Sequence, residues 1–161
     1  MIAALEQNRR SLTYLALIDC DMDPKRALTL QLILQGDLIR LKHINLNKNP
    51  LLKERGVNSI INLANSFAAT EVSMLQFAEC GLDAQAAIRI SRHLAQPENQ
   101  VGRNLKLLNL AGNKIGDLGM EILLPYIENN YNLAYLDVSN NAIGDRGLLA
   151  IAGIIHKNTS L

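Results

Sequence analysis

The stretch that decides the fold is LKLLNLAGNKIGDLG, residues 105–119. The same pattern recurs without gaps as LAYLDVSNNAIGDRG, residues 133–147, so that Leu133 corresponds to Leu105. Shorter matches begin at Leu12, Leu41 and Val72, and Leu161 stands where a further copy would start. Self-similarity at this period indicates stacked repeats, in which each unit buries its apolar side chains against its neighbours.

The repeats account for the whole chain as one array over residues 1–161. The starts at 12, 41, 72, 105, 133 and 161 give successive differences of 29, 31, 33, 28 and 28. The longest unit contains the polar stretch Gln96–Arg103, with Pro and Gly, which predicts a loop inserted after a helix. Residues 1–11 resemble residues 151–161, so we expect them to form the helix of a preceding unit in a longer array. The alternative is a small protein whose first helix is itself the cap.

Each unit is predicted to contain one strand and one helix. Leu105, Leu108 and Leu110 need a common buried side, and the alternation of apolar residues in L-x-L suits a strand. A helical run follows, and Asp117 and Asp145 stand where an N-cap residue would accept backbone N–H bonds. Pro125 lies inside one of these runs, which predicts a kinked or shortened helix.

The pattern resembles the leucine-rich repeat, L-x-x-L-x-L-x-x-(N/C)-x-L. The repeat length near 28, with a Gly six positions after Asn113 and after Asn141, resembles the ribonuclease-inhibitor-like subfamily. The resemblance implies an α/β fold, a horseshoe-shaped solenoid with a parallel β-sheet on its concave face and helices on its convex face. Proteins of this subfamily include inhibitors, GTPase-activating proteins, innate-immune sensors and actin regulators, so the resemblance predicts the fold more sharply than the function.

The ninth position of each unit is polar, and reads Cys20, Asn49, Cys80, Asn113 and Asn141. The chain turns sharply after each strand and leaves buried backbone groups that need partners, which an Asn amide can supply as donor and acceptor. We therefore expect both cysteines to be buried in this ladder and reduced. They lie two strands apart, about 9–10 Å in a parallel sheet, which is too far for a disulfide.

Composition excludes several classes of function. Lys and Arg together number 16 against 15 Asp and Glu, a net charge of +1, so no basic surface for nucleic acid is indicated. No apolar run approaches the length of a membrane span, and the first residues lack the features of a signal peptide. Two cysteines are too few for a secreted disulfide scaffold, so we expect a cytoplasmic location.

No catalytic, metal or cofactor site is predicted. The three His residues fall at different repeat positions without metal-ligand spacing, and Gly112, Gly116 and Gly119 do not have the spacing of a phosphate loop. The sequence Asn158-Thr-Ser matches an N-glycosylation signal, but we interpret it as an ordinary helix end.

The candidate site is the concave face. Side chains between the inward-facing leucines form two columns, the third and the fifth position of each unit. The first column is large and partly apolar: Tyr14, His43, Met74, Leu107 and Tyr135. The second is mostly amide, and its candidate residues are Asn45, Gln76, Asn109 and Asp137. Such a surface suits a protein partner, because interfaces favour Tyr and Met and contain few charges.

The sequence thus predicts a non-catalytic scaffold for protein–protein interaction, with self-association through exposed array ends as a further expectation. Two alternatives stay open. One is a GTPase-activating regulator of a small GTPase that acts from edge loops, with Arg55 and Arg103 as the candidate arginines. The other is a bacterial effector that mimics a host repeat scaffold.

Overall fold

The structure is a computed structural model that describes residues 11–23, 25–27, 29–30, 40–51, 71–96 and 99–161. The predicted helix within residues 1–11 and the candidate Arg55 therefore lie outside the described residues, except for Ser11 itself.

Five short strands form one parallel sheet in chain order. They are β1 (Tyr14–Ala16), β2 (His43–Asn45), β3 (Met74–Gln76), β4 (Leu107–Asn109) and β5 (Tyr135–Asp137). Every pair of neighbours is parallel and in the register of the repeat, so that the third position of each unit lies beside the third position of the next. The prediction of one parallel sheet in sequence order is confirmed, and the chain folds as an α/β leucine-rich-repeat solenoid.

Helices follow β1, β3, β4 and β5. The described ones are α1 (Ala84–Leu94), α2 (Gln100–Asn104), α3 (Gly116–Glu128) and α4 (Asp145–Ile155), and residues 25–27 and 29–30 are also helical. The helices α1, α3 and α4 pack side by side in chain order. Gly119 permits the close approach of α3 to α1, because a Cβ atom there would lie 3.1 Å from the Cα of Ala84.

The repeated leucines form the core between sheet and helices. Leu105, Leu108 and Leu110 are completely buried, and so are their counterparts Leu41, Ile44 and Leu46. In the last unit Leu133 is buried, whereas Leu136 and Val138 are partly buried and pack against the core. Each unit thus contributes one thin layer of buried Leu or Ile side chains, without Trp. Thin layers of this kind fit the low aromatic content of the chain, which is 4%.

The ninth-position asparagines bridge neighbouring units. The Asn113 amide donates to the Phe77 carbonyl of the preceding unit at 2.8 Å and to the Leu110 carbonyl of its own unit at 2.7 Å. Its Oδ1 accepts from the backbone N–H groups of Cys80 at 3.0 Å and Leu82 at 2.9 Å. Asn49 makes the equivalent four bonds, and Asn141 makes three of them. The buried turn after each strand is thus satisfied as the sequence predicts.

The two cysteines differ, and the expectation that both are buried is wrong for one of them. Cys80 is buried and its thiol donates to the Leu46 carbonyl of the preceding unit at 3.2 Å. Cys20 is exposed, with its thiol near the Ile18 carbonyl at 3.3 Å. The difference follows from position: Cys20 lies at the β1 end of the described sheet, where the structure describes no turn of a preceding unit that would cover it as the turn after β2 covers Cys80. Both thiols are free.

The predicted N-caps also need correction. Asp117 and Asp145 lie inside the first turns of α3 and α4, and neither side chain caps its own helix. Asp117 instead accepts from two backbone N–H groups of the next unit, Gly144 and Gly147. In α1, Asp83 is a true N-cap and accepts from the Ala86 N–H at 2.9 Å.

Pro125 does not shorten its helix. With 13 residues, α3 is the longest of the helices that the structure describes, and it continues past Pro125 to Glu128. The proline lies in the last turn, where the Asn129 N–H still reaches the Pro125 carbonyl at 3.3 Å. The cost of the missing N–H is therefore confined to one hydrogen bond near the helix end.

The predicted inserted loop contains a short helix. Residues 97–98 are outside the described part, but Asn99 caps α2 by accepting from the Gly102 N–H at 3.0 Å. Gly102 is packed so closely on α1 that an added Cβ atom would collide with the Leu94 carbonyl. The Gly102 carbonyl in turn accepts from the Tyr126 hydroxyl at 3.0 Å and from the Asn130 amide at 2.8 Å. These contacts fix α2 to the array.

Candidate functional site

The concave columns lie where the sequence places them. Along the first column the Cα partners are Tyr14, His43, Met74, Leu107 and Tyr135. Tyr14, Met74 and Tyr135 are 48%, 37% and 51% exposed, whereas His43 and Leu107 are half-buried. Because these side chains stand on paired strands, the sheet holds their backbones in fixed positions. Three large, partly apolar side chains thus project from a rigid surface.

At the β1 end of the face the polar side chains form a connected network. The Tyr14 and His43 rings meet edge to face, with centroids 4.5 Å apart. The Nε2 of His43 lies 2.6 Å from the Gln76 Nε2, so a neutral His43 ring accepts from this amide. The Asn47 amide donates to the Gln76 Oε1 at 3.2 Å, while the Asn47 Oδ1 accepts from the Ala78 N–H.

The burial of His43 in this face affects its protonation. Burial lowers the pKa of the His43 imidazole, because desolvation disfavours the charged ring. A neutral ring is also the form that can accept from Gln76. The concave face is therefore uncharged at His43 near neutral pH, which leaves Asp137 as the charged side chain within the two columns as the structure describes them.

The second column is less accessible than the sequence suggests. Asn45 is buried, only 7% exposed, so its side chain is less accessible to a partner than the sequence predicts, and its part in binding stays a prediction. Its Oδ1 accepts from the N–H of Asn47, two residues on. Asn109 and Asp137 repeat this bond with the N–H groups of Ala111 and Ser139, at 2.9 and 3.0 Å. These oxygens shape the turn after each strand, and Gln76, Asn109 and Asp137 remain partly accessible.

The turn after each strand has a shared backbone conformation that was not predicted from the sequence. The eighth residue of every unit has a positive φ: Asp19, Lys48, Glu79, Gly112 and Asn140, with values of 52°, 61°, 55°, 67° and 54°. Only Gly112 adopts this left-handed conformation without steric cost. Asp, Asn and Gly occur together at this repeat position, and their occurrence was the sequence signal for the left-handed conformation.

A second set of asparagines stands at the opposite corner of the units and was also missed. The Asn130 Oδ1 accepts from the Asn132 and Leu133 N–H groups, both at 2.9 Å. Asn158 holds the same place one unit later, and its amide donates to the Ile127 carbonyl at 2.8 Å. Asn158 follows Asn130 at the same interval as Leu133 follows Leu105, so this repetition was visible in the sequence. Asn158 is 6% exposed, so the described fold uses this amide internally, as the helix-end interpretation requires.

The C-terminal end of the described array exposes apolar side chains. Leu149, Ile155 and Leu161 are 75%, 58% and 39% exposed. A cleft of about 180 Å³ between β5 and α4 is lined mainly by aliphatic residues. Self-association through this end stays a prediction.

The remaining candidate positions are as follows. Arg103 is exposed on α2, beside the helical side of the array, and is not part of the concave face. Within the described ranges, no group of three or more His, Cys, Asp or Glu is placed to hold a metal ion. No helix among the described residues is long and apolar enough to cross a membrane.

Comparisons with known proteins agree with the repeat pattern. The leucine-rich-repeat family profile matches residues 103–124 and 129–152. No curated protein sequence matches the chain significantly. A solved structure described as the actin-binding site 2 of leiomodin-1 superposes with a TM-score of 0.70 at 12% identity, covering 98% of this chain and 86% of that one. The C-terminal domain of tropomodulin from Caenorhabditis elegans gives a TM-score of 0.70 at 11% identity, covering 98% and 92%. At these sequence identities, the similarity to both structures concerns the fold alone.

Proposed function

We propose that this leucine-rich-repeat chain is a non-catalytic scaffold that binds a protein partner through its concave face. The observation that carries the proposal is the pair of half-exposed rings Tyr14 and Tyr135, with Met74 between them, on one column of a rigid sheet. The core does not need these side chains. Tyr and Met are favoured at protein interfaces because they bury a large area at low entropic cost.

The polar groups beside this column suit specificity more than affinity. Gln76 and His43 are linked to each other, so they present a fixed pattern of donors and acceptors to a partner. Fixed groups lose little conformational entropy on binding. The near absence of charge in the two columns favours a neutral, partly apolar partner surface over nucleic acid.

We further propose the ribonuclease-inhibitor-like subfamily and a cytoplasmic location. The even spacing of the last units and the Gly at the helix contact, Gly119 and Gly147, support the subfamily. The exposed free thiol of Cys20 supports a reducing compartment, since exposed thiols are readily oxidised elsewhere.

The test places a photo-crosslinking amino acid at position 135 in one variant and at Leu149 in a matched control, in the cell of origin. Leu149 is even more exposed, at 75%, but lies on α4. We expect a discrete protein adduct from position 135 only. Monomeric actin is the first purified partner to assay, because the leiomodin-1 structure is described as an actin-binding site.

The affinity of variants for the identified partner then tests whether the concave face is the binding surface. Truncation of Tyr135 to Ala should weaken binding by about 1–2 kcal/mol if it is an anchor. It should leave stability within about 0.5 kcal/mol, as expected of a surface change. Leu108→Ala is the folding control, because this core side chain should cost roughly 2–5 kcal/mol of stability. If Tyr14→Ala, Met74→Ala and Tyr135→Ala together leave affinity unchanged, the concave-face proposal is wrong.

A further inference from the structure

A second surface, far from the concave columns in the repeat, has the features of a binding groove. It has a volume of about 720 Å³ and lies among the C-terminal parts of α1 and α3, the short helix α2 and the segment Asn129–Asn132. A groove of this size falls within the range of sites that hold a ligand or a short peptide. We call it the α2 groove.

The α2 groove exists because one unit is longer than its neighbours. The unit that runs from Val72 to Asn104 is the longest between successive repeat starts, and its extra length includes α2. Tyr126 and Asn130 fix α2 through the Gly102 carbonyl, and the Asn130 amide also lies 2.7 Å from the Tyr126 hydroxyl. The wall of the groove is therefore held by buried hydrogen bonds and is formed before any ligand arrives.

Among the residues that the structure describes, the charged side chains that line the groove are both arginines. Arg92 of α1 and Arg103 of α2 both line it and are exposed, and no Asp or Glu of the described residues lines it. Four other basic residues of the described part form ion pairs, such as Lys157 with Glu128 at 3.0 Å, whereas neither of these guanidinium groups has a carboxylate partner there. Two unneutralised arginines at one groove favour an anionic ligand.

The other lining groups suit a peptide backbone and an apolar side chain. Tyr131 is 72% exposed, and Pro125, which also lines the groove, is exposed as well. The amide nitrogens of Asn129 and Asn132 donate to the Pro125 and Arg103 carbonyls, at 2.8 and 2.7 Å. Their Oδ1 atoms have no donor within the described residues and can accept from a peptide N–H.

We infer that the α2 groove binds an extended acidic segment of a partner protein, with Arg92 and Arg103 pairing with its carboxylates and Tyr131 packing on an adjacent apolar side chain. Tyr and Arg are the residue types that most often carry binding energy at protein interfaces. The groove therefore gives the array a second contact surface, separate from the concave face and independent of it.

The test begins with selection of a random dodecapeptide phage library on the complete chain. Enriched peptides are then synthesised with a fluorescein label and titrated by anisotropy against wild type, Arg92→Glu, Arg103→Glu, the double variant and Tyr131→Ala. Lys114→Glu is the matched control, since it reverses an exposed charge that does not line the groove. Thermal unfolding of every variant excludes loss of fold as the cause of lost binding.

We expect the selected peptides to be enriched in Asp or Glu, and the double charge reversal to weaken their binding at least tenfold. Tyr131→Ala should weaken it by about threefold to tenfold, and Lys114→Glu or Tyr135→Ala by less than twofold. The inference is overturned if selection gives no binding peptide, if acidic residues are not enriched, or if the double variant binds as tightly as wild type. A loss caused equally by Lys114→Glu would also overturn it, because attraction to the overall charge would then explain the binding.

Discussion

The Oδ1 atom of Asp117 in α3 lies 2.7 Å from the backbone nitrogen of Gly144, one unit further along the chain. The same atom accepts from the Gly147 N–H at 3.1 Å. Asp117 therefore caps the N-terminus of the next helix, α4. The N-cap residue of α4 is Gly144, which has no side chain that could cap it. An N-cap that belongs to another unit couples the two helices.

This relationship predicts the effect of Asp117→Ala. The variant leaves two N–H groups at the start of α4 without their acceptor, so we expect the free energy of unfolding to fall by about 1–2 kcal/mol. Urea unfolding followed by circular dichroism measures the loss. Asp145→Ala is the matched control, because this exposed carboxylate accepts no hydrogen bond among the described residues, and it should cost at most about 0.5 kcal/mol. Equal losses in the two variants would contradict the cross-unit cap.

Asn113→Ala should be among the most damaging polar substitutions in the chain. Asn113 is 5% exposed and satisfies four buried backbone groups in two units. Each unsatisfied group costs about 1–3 kcal/mol, so we expect a total on the order of 4 kcal/mol after partial relaxation. Asn109→Ala, on β4 with one turn bond to Ala111, should cost less than about 1 kcal/mol by the same measurement, as a single hydrogen bond would. The ladder role fails if the two variants are equally stable.

Ala142→Gly should stabilise the protein. Ala142 has a φ of 54°, where a Cβ atom is unfavourable, and glycine removes that strain. The gain should be about 0.5–1 kcal/mol, since greater entropy of the unfolded chain offsets part of it. The reciprocal change Gly81→Ala introduces the same strain at a φ of 71° where no atom obstructs the Cβ, and should lower stability by a similar amount. A loss of stability in Ala142→Gly would show that the Ala142 side chain has contacts that outweigh the strain.

The two thiols should differ in reactivity. Burial raises the pKa of the Cys80 thiol to about 11, whereas Cys20 is exposed. A maleimide reagent near neutral pH should label Cys20 quickly and Cys80 only after denaturant is added, because the thiolate is the reactive form. A Cys20→Ser variant isolates the second site. Rapid labelling of that variant in native buffer would show that Cys80 is accessible.

The raised pKa of Cys80 also predicts a dependence on pH. A thiol whose pKa is higher in the folded state stabilises the fold at pH values below its unfolded pKa, and this stability is lost as the pH rises toward 11. The loss can reach about 3 kcal/mol, because burial moves the pKa from its usual 9.0 to about 11. Comparison with Cys80→Ala, by urea unfolding over a series of alkaline buffers, separates this contribution from other groups. The slope of stability against pH should be shallower in the variant.

Local repetition made the sheet and the ladder predictable. Leu105, Leu108 and Leu110 have the same spacing as Leu133, Leu136 and Val138, and a buried strand demands that spacing wherever it occurs. The role of Asn113 followed from the need to satisfy a buried turn. These features depend on one unit and its nearest neighbour, which the period itself displays.

The features that were not predicted depend on contacts between units. The sequence pattern of a single unit does not contain these contacts. Asp117 has the position of an N-cap in the sequence, but its carboxylate reaches Gly144 because the helices pack side by side. The short helix α2 interrupts the period, so no second copy of Gln96–Arg103 revealed its structure. The exposure of Cys20 depends on its place at one end of the described sheet rather than on its residue type.

The ladder asparagines bond to the preceding unit in the same way in successive units, so the array can lose or gain whole units. Asn113 donates to Phe77 of the unit before it, and Asn141 donates to Leu110 in the same way. Excision of residues 105–132, one complete period, would bring Asn141 beside Phe77 with its geometry intact and put Asn158 where Asn130 now holds Gly102. Gene-level loss or duplication of one period thus keeps the asparagine hydrogen bonds between units, while this particular excision removes the Tyr126 bond to Gly102, because Ile154 takes the place of Tyr126. The length of the solenoid can therefore change in evolution without substitutions in the turns that follow its strands.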